Sequence, residues 1–181
     1  MRRVRYSVAV SLDGYIAGPQ GEADWIVMDP EIDFAAIFGS FDTLLLGRRS
    51  FEAMAGAGGG GAGMFSGMKV FVLSRTLKQR DYPKVTIVSG RVKETLTALR
   101  KQPGKDIWLF GGGDLFRSLL ELNLVDAVEV AVIPVLLGGG IPLLPAPAQR
   151  TKLELIRQKV YAKTGTVSLE YAVRPSRRRR P

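Results

Sequence analysis

Four short segments carry residue types able to hold a polyanion: Ser11-Leu12-Asp13-Gly14, Gly47-Arg48-Arg49-Ser50, Ser74-Arg75-Thr76 and Gly111-Gly112-Gly113-Asp114. Each follows an apolar run of strand type. Gly111–Gly113 leads straight into a helical pattern, so the backbone can turn sharply and bring a phosphate against the free N–H groups of the helix start. Arg48 and Arg49 open a second helical segment, where a guanidinium fork suits phosphate oxygens. Ser74 and Arg75 pair a hydroxyl with a cation, which suits an isolated monoester such as an adenosine 2′-phosphate. A site selective for NADH would instead place an acidic residue at a strand end to hold the ribose hydroxyls. None follows Val70–Leu73. Arginines or glycines at three successive strand ends point to a dinucleotide, and to NADPH over NADH.

The composition narrows the remaining chemistry. Among 181 residues there is no cysteine and no histidine. That excludes disulfides, thiolate nucleophiles, Ser–His–Asp triads, imidazole bases and Cys- or His-ligated metals, so no metal site is expected. Carboxylates, hydroxyls, Lys and Arg, backbone groups or a cofactor must do the work. With 46% hydrophobic and 24% charged residues, the chain is ordinary for a folded protein and too apolar for a disordered one.

The elements that must position these segments alternate between two patterns. Strands are expected at Val4–Ser11, Thr43–Leu46, Val70–Leu73, Val85–Val88, Ile107–Phe110 and Ala127–Val132. Helices are expected from Asp29, with Asp29 as N-cap, Pro30 in the first position and Gly39 closing the end. Others follow around Phe51–Ala55, over Arg91–Gln102 and over Asp114–Glu121. Lys152–Val160 and Thr166–Val173 have no helix between them and should form an antiparallel hairpin. The sum is an α/β fold: a mostly parallel central sheet with helices on both faces, finished by antiparallel strands. One domain is expected over residues 1–173. The glycine-rich Ala55–Gly63 reads as a surface connector, with a flap over the Gly47–Arg49 turn as the functional alternative.

The formal net charge is +9, but Arg174 and Arg177 through Arg180 supply five of those charges. The body without them stands at +4, and the tail 174–181 is expected to be disordered. Nucleic acid is not an expected partner, because the body lacks the aromatic–basic interleaving of single-strand binders. Val130–Ala148 is free of charge but carries Pro134, Pro142, Pro145, Pro147 and three glycines, so it is not a membrane helix. No signal peptide is evident, and a cytoplasmic location is expected.

The order of the motifs carries a resemblance. Ser11-Leu12-Asp13-Gly14-Tyr15-Ile16-Ala17, Leu46-Gly47-Arg48-Arg49-Ser50, Leu73-Ser74-Arg75 and Phe110-Gly111-Gly112-Gly113-Asp114-Leu115 together resemble the dihydrofolate reductase superfamily. The run Ile133–Leu143 is similar to its riboflavin-biosynthesis (RibD) C-terminal reductase branch. The resemblance covers about residues 4–173 and implies a dihydrofolate-reductase-like three-layer fold with NADPH across the strand ends. It places Gly47, Arg48, Arg49, Ser74 and Arg75 at the adenosine phosphates and Gly111, Gly112, Gly113, Asp114 and Leu115 at the pyrophosphate. Ala9, Gly14 and Ile16 would line the nicotinamide, and Asp29, Glu31, Asp33 and Phe34 would face the substrate. Asp33, one turn from the helix start, is the chosen catalytic carboxylate. The resemblance further implies a homodimer through the C-terminal strands. The expected activity is NADPH-dependent reduction of a small heterocyclic, pyrimidine- or pterin-like, or carbonyl substrate. A cofactor-binding protein without turnover is the alternative.

Overall fold

Val4, Tyr6, Val8 and Val10 alternate with Arg5, Ser7 and Ala9, and this period of two forms β1 (Val4–Ser11). The computed structural model describes residues 1–56, 65 and 67–174. Most of Ala55–Gly63, and the tail after Arg174, lie outside the described residues. After β1 come β2 (Tyr15–Ala17), α1 (Phe34–Gly39), β3 (Phe41–Gly47), α2 (Arg48–Gly56), β4 (Lys69–Leu73) and β5 (Thr86–Val88). They are followed by α3 (Val92–Lys101), β6 (Asp106–Gly111), α4 (Gly113–Glu121), β7 (Ala127–Ile133), β8 (Ile141–Pro142), β9 (Lys152–Tyr161) and β10 (Thr166–Arg174).

Eight strands form one sheet in the order β5-β4-β3-β6-β1-β7-β10-β9. The six from β5 to β7 are parallel, and β10 and β9 close one side antiparallel. One face packs Val4, Tyr6, Leu45 and Leu109 against Leu96 and Leu99 of α3 and Leu115, Phe116 and Leu119 of α4. The opposite face packs Leu44, Leu46, Val72 and Trp108 against Ile37 and Phe38 of α1 and Phe51 of α2. Helices therefore cover both faces, the three-layer arrangement that the alternating patterns imply.

Two details differ from the sequence reading. The helix does not begin at Asp29. The Asp29 Oδ1 accepts the Glu31 N–H at 2.9 Å, and its Oδ2 accepts the Thr164 hydroxyl at 2.9 Å. That local turn competes with a helix, so α1 starts only at Phe34, capped by Asp33, whose Oδ1 accepts the Ala36 N–H at 2.9 Å. The second difference is a small antiparallel sheet of β2 and β8, pairing Tyr15 with Pro142 and Ala17 with Ile141. It lays the end of β8 and the residues after it on Gly113, where a Cβ would stand 2.5 Å from the Pro142 carbonyl oxygen.

Candidate active site

Because β1, β3, β4, β5 and β6 are parallel, their carboxyl ends and the turns that follow share one rim. Gly47 and Gly111 end neighbouring strands. A Cβ on Gly47 would lie 3.6 Å from the Gly111 carbonyl oxygen and 3.9 Å from the Gly112 nitrogen. A Cβ on Gly112 would lie 3.6 Å from the Ser50 hydroxyl. Two turns far apart in sequence thus meet backbone to backbone. Gly111 has φ +131°, a conformation that a side chain would strain. Gly112 is the N-cap of α4, whose first N–H groups have no earlier carbonyl in the helix to bond, leaving an electropositive helix start. The Leu115 N–H is already used, donating to the Gly112 carbonyl at 3.0 Å, and the Leu115 side chain is buried in the core. Asp114 is exposed and contacts Arg117 one turn on, at 3.4 Å.

The basic residues sort by their partners. Arg48 is tied along α2 to Glu52 at 2.8 Å. The Ser74 hydroxyl is buried and accepts the N–H groups of Thr76 at 3.2 Å and Leu77 at 3.0 Å, so it shapes the turn. Arg49 and Arg75 are exposed and have no carboxylate partner among the described residues. The Ser74 N–H donates to the Val88 carbonyl at 3.1 Å, which sets the end of β4 beside the end of β5. There Arg91 stands at the N-cap of α3 in a left-handed conformation, also exposed and without a carboxylate partner among the described residues. The sequence reading missed it, although Ser89-Gly90-Arg91 repeats the hydroxyl-then-cation signal of Ser74-Arg75. Three cations thus stand at the ends of the three successive strands β3, β4 and β5.

On the sheet face that carries α1, a cleft of about 710 Å³ opens. Ser7, Ala9, Ala131 and Ser168 form the middle of its floor, and Ile26, Met28, Ile32 and Phe34 contribute to its roof. Ala9, Glu31, Asp33 and Phe34 line it. Asp29 does not: its side chain is buried against Thr164 of the β9–β10 turn, which ties the roof to the hairpin. Gly14 and Ile16 stand beyond the end of β1, outside the lining. The turn at Gly14 is held from its other side. The Asp13 carboxylate accepts the Ser11 hydroxyl at 2.6 Å and the N–H groups of Gly138 at 2.7 Å and Leu137 at 3.1 Å. Those bonds, the Ser11 hydroxyl first, hold its carboxyl below the usual range.

A family model for the RibD C-terminal domain matches residues 2–167. The chain belongs to the RibD C-terminal domain family. The uncharacterized protein YyaP of Bacillus subtilis (strain 168) is 34% identical to this chain, and the match covers 94% of each. A crystal structure of a Shewanella sp. PV-4 protein named for riboflavin biosynthesis is 27% identical and superposes with a TM-score of 0.80, covering 97% of this chain and 100% of that one. Dihydrofolate reductase from Enterococcus faecalis, complexed with NADP(H) and RAB-propyl, superposes with a TM-score of 0.68 at 19% identity, over 96% of this chain and 97% of that one. That likeness establishes the dihydrofolate-reductase-like fold of this RibD-family chain. No described helix is long and apolar enough to cross a membrane.

Proposed function

We propose that this chain is an NADPH-dependent reductase of a small pyrimidine- or pterin-like substrate, working as one domain through residue 173. The observation that carries the reading is the meeting on one rim of a glycine cradle and three cations without carboxylate partners among the described residues, in a fold that also holds an open cleft. The Gly47–Gly111 contact and the positive φ of Gly111 set the turn into the start of α4, whose first backbone N–H groups would receive a pyrophosphate. Arg49, Arg75 and Arg91 would hold the adenosine phosphates, with Arg48 and Ser74 shaping the turns that carry them. Gly14 and Ile16 would wall the nicotinamide end opposite Ala9. A bound nicotinamide dinucleotide supplies the reducing equivalent as a hydride.

The protein's share is to orient the substrate and exclude water. The roof residues Ile26, Met28 and Phe34 make the cleft largely apolar above a polar floor. Asp33 lines it with Oδ1 occupied by the α1 cap, which leaves Oδ2 to hold a substrate proton in place. A filled face at Phe34 would have favoured cofactor binding without turnover; the open cleft favours reduction. A homodimer fits the exposed apolar side chains of β9, where Leu155, Ile156 and Val160 are 48%, 56% and 65% exposed.

The reading is tested by titrating wild type and Arg75→Ala with NADPH and NADH. One charge-assisted contact is worth about 1.5–3 kcal/mol, so NADPH affinity should fall by one to two orders of magnitude while NADH affinity barely moves. Equal losses for both cofactors, or no NADPH binding by the wild type, would sink the assignment.

A further inference from the structure

The cleft floor is a grid set by strand register. One row places Ser7, Glu129, Glu170 and Arg157 side by side on β1, β7, β10 and β9. The next row is Ala9, Ala131, Ser168 and Lys159. All eight line the cleft. Two glutamates directly opposite on neighbouring strands repel unless each is compensated, and here the compensation is unequal. Glu129 takes two bonds from Arg5, at 2.5 and 2.9 Å, and both side chains are nearly buried. Arg5 is itself fixed over the Phe41 ring at 4.5 Å.

Glu170 is only 17% exposed, yet the one cation bonded to it among the described residues, Arg157, is 75% exposed at the sheet edge and bonds only Oε2, at 2.9 Å. Such an exposed partner compensates little, and Arg5 adds a more distant attraction. The other oxygen, Oε1, has no hydrogen-bond partner among the described residues. One row away, Lys159 rests its ammonium 4.5 Å over the Tyr161 ring and has no carboxylate partner among the described residues. Beside Lys159 in its own row, Ser168 and then Ala131 are too small to block a flat ring lying on the floor. Rows on one face are separated by two residues, about 7 Å, which matches a single heterocycle with its exocyclic groups.

We propose that Glu170 and Lys159 are the specificity-determining pair of the substrate site, with Glu170 accepting the exocyclic N–H groups of an aminated pyrimidine and Lys159 donating to its ring carbonyl. This rests on the reductase reading for the identity of the cleft as the substrate site. Glu129 stays committed to Arg5 and shapes the floor. No bond is made or broken by either residue.

The test is calorimetric binding of 5,6-diaminouracil and of uracil to the full chain, with and without NADPH. Wild type should prefer the diamino compound. Glu170→Gln should erase that preference, weakening diaminouracil about tenfold or more and leaving uracil within about twofold. Lys159→Met should weaken both probes alike, since both keep the carbonyl. Unchanged NADPH affinity shows that the variants fold. A preference for diaminouracil that survives Glu170→Gln, or its absence in the wild type, overturns the proposal. Absence of NADPH binding would instead overturn the reductase reading, and the probe preference of the cofactor-free chain would still decide this one.

Discussion

At the rim, Arg49, Arg75 and Arg91 stand without carboxylate partners among the described residues, and Gly47 meets Gly111 and Gly112 backbone to backbone. On the floor a few strands away, Arg5 and Glu129 are locked together and nearly buried. The rim keeps these three charges uncommitted, which suits a ligand that brings its own negative charge. The floor spends most of its charge on itself and leaves Glu170 and Lys159 as the polar exceptions. On the proposed reading, binding strength and substrate choice would be drawn from different regions of one sheet.

The sharpest way to break this contrast is to remove a committed partner on the floor. Glu129→Ala leaves the nearly buried Arg5 with only its longer contacts, to Ser40 and Asp106 at 3.1 and 3.4 Å. Chemical unfolding should show a loss of about 3 kcal/mol; a loss under 1 kcal/mol would mean the pair is not structural. At the rim the corresponding probe is Gly113→Ala. Its methyl would strike the Pro142 carbonyl at 2.5 Å and the Pro145 ring at 2.8 Å. Overpacking of this kind costs about 1–3 kcal/mol, while Gly47→Ala, which meets only ordinary contacts, should melt close to wild type. Equal melting of the two glycine variants would remove the case for close packing at Gly113.

The roof gives a pH test. The Glu31 N–H first, and the Thr164 hydroxyl after it, hold the Asp29 carboxyl below its ordinary value of 3.8 against the opposing effect of its burial. A carboxylate depressed on folding contributes stability that is present above its unfolded pKa and is lost as the pH falls through the folded one. Wild type should therefore lose part of its roof protection in hydrogen exchange below about pH 4. Asp29→Asn should show no such step, and a step that persists in it would assign the titration to another group. The smallest effect is expected at the edge: Arg157→Ala removes a largely exposed partner and should change stability by no more than about 0.5 kcal/mol.

The rim was legible in the sequence because its devices are local. A glycine run that joins a strand to a helix, or an arginine just past a strand, marks itself within a few residues, and alternation in Val4–Ser11 marks the strand that leads there. Arg91 reads in the sequence as the first residue of a helix, and only the pairing of β5 beside β4 brings it to the same rim. The floor was illegible for a different reason. Glu170 faces Glu129 across a ladder between residues about forty positions apart, and only the register decides that both point into the cleft. Asp29 shows the same limit. Its type and its Pro30 neighbour favour a helix cap, but a threonine 135 residues away claims its carboxylate.

The first strand sits deep in the sheet, between β6 and β7, and Val4 pairs with Ile107 while Arg5 pairs with Ala127. On a ribosome adding about 5–20 residues per second, the N-terminal strand waits about 5–20 s before either neighbour has been translated. Its apolar face stays unprotected during that interval. A nascent chain released before residue 106 would lack both flanks of its middle strand, so premature termination should yield aggregates rather than a smaller working protein.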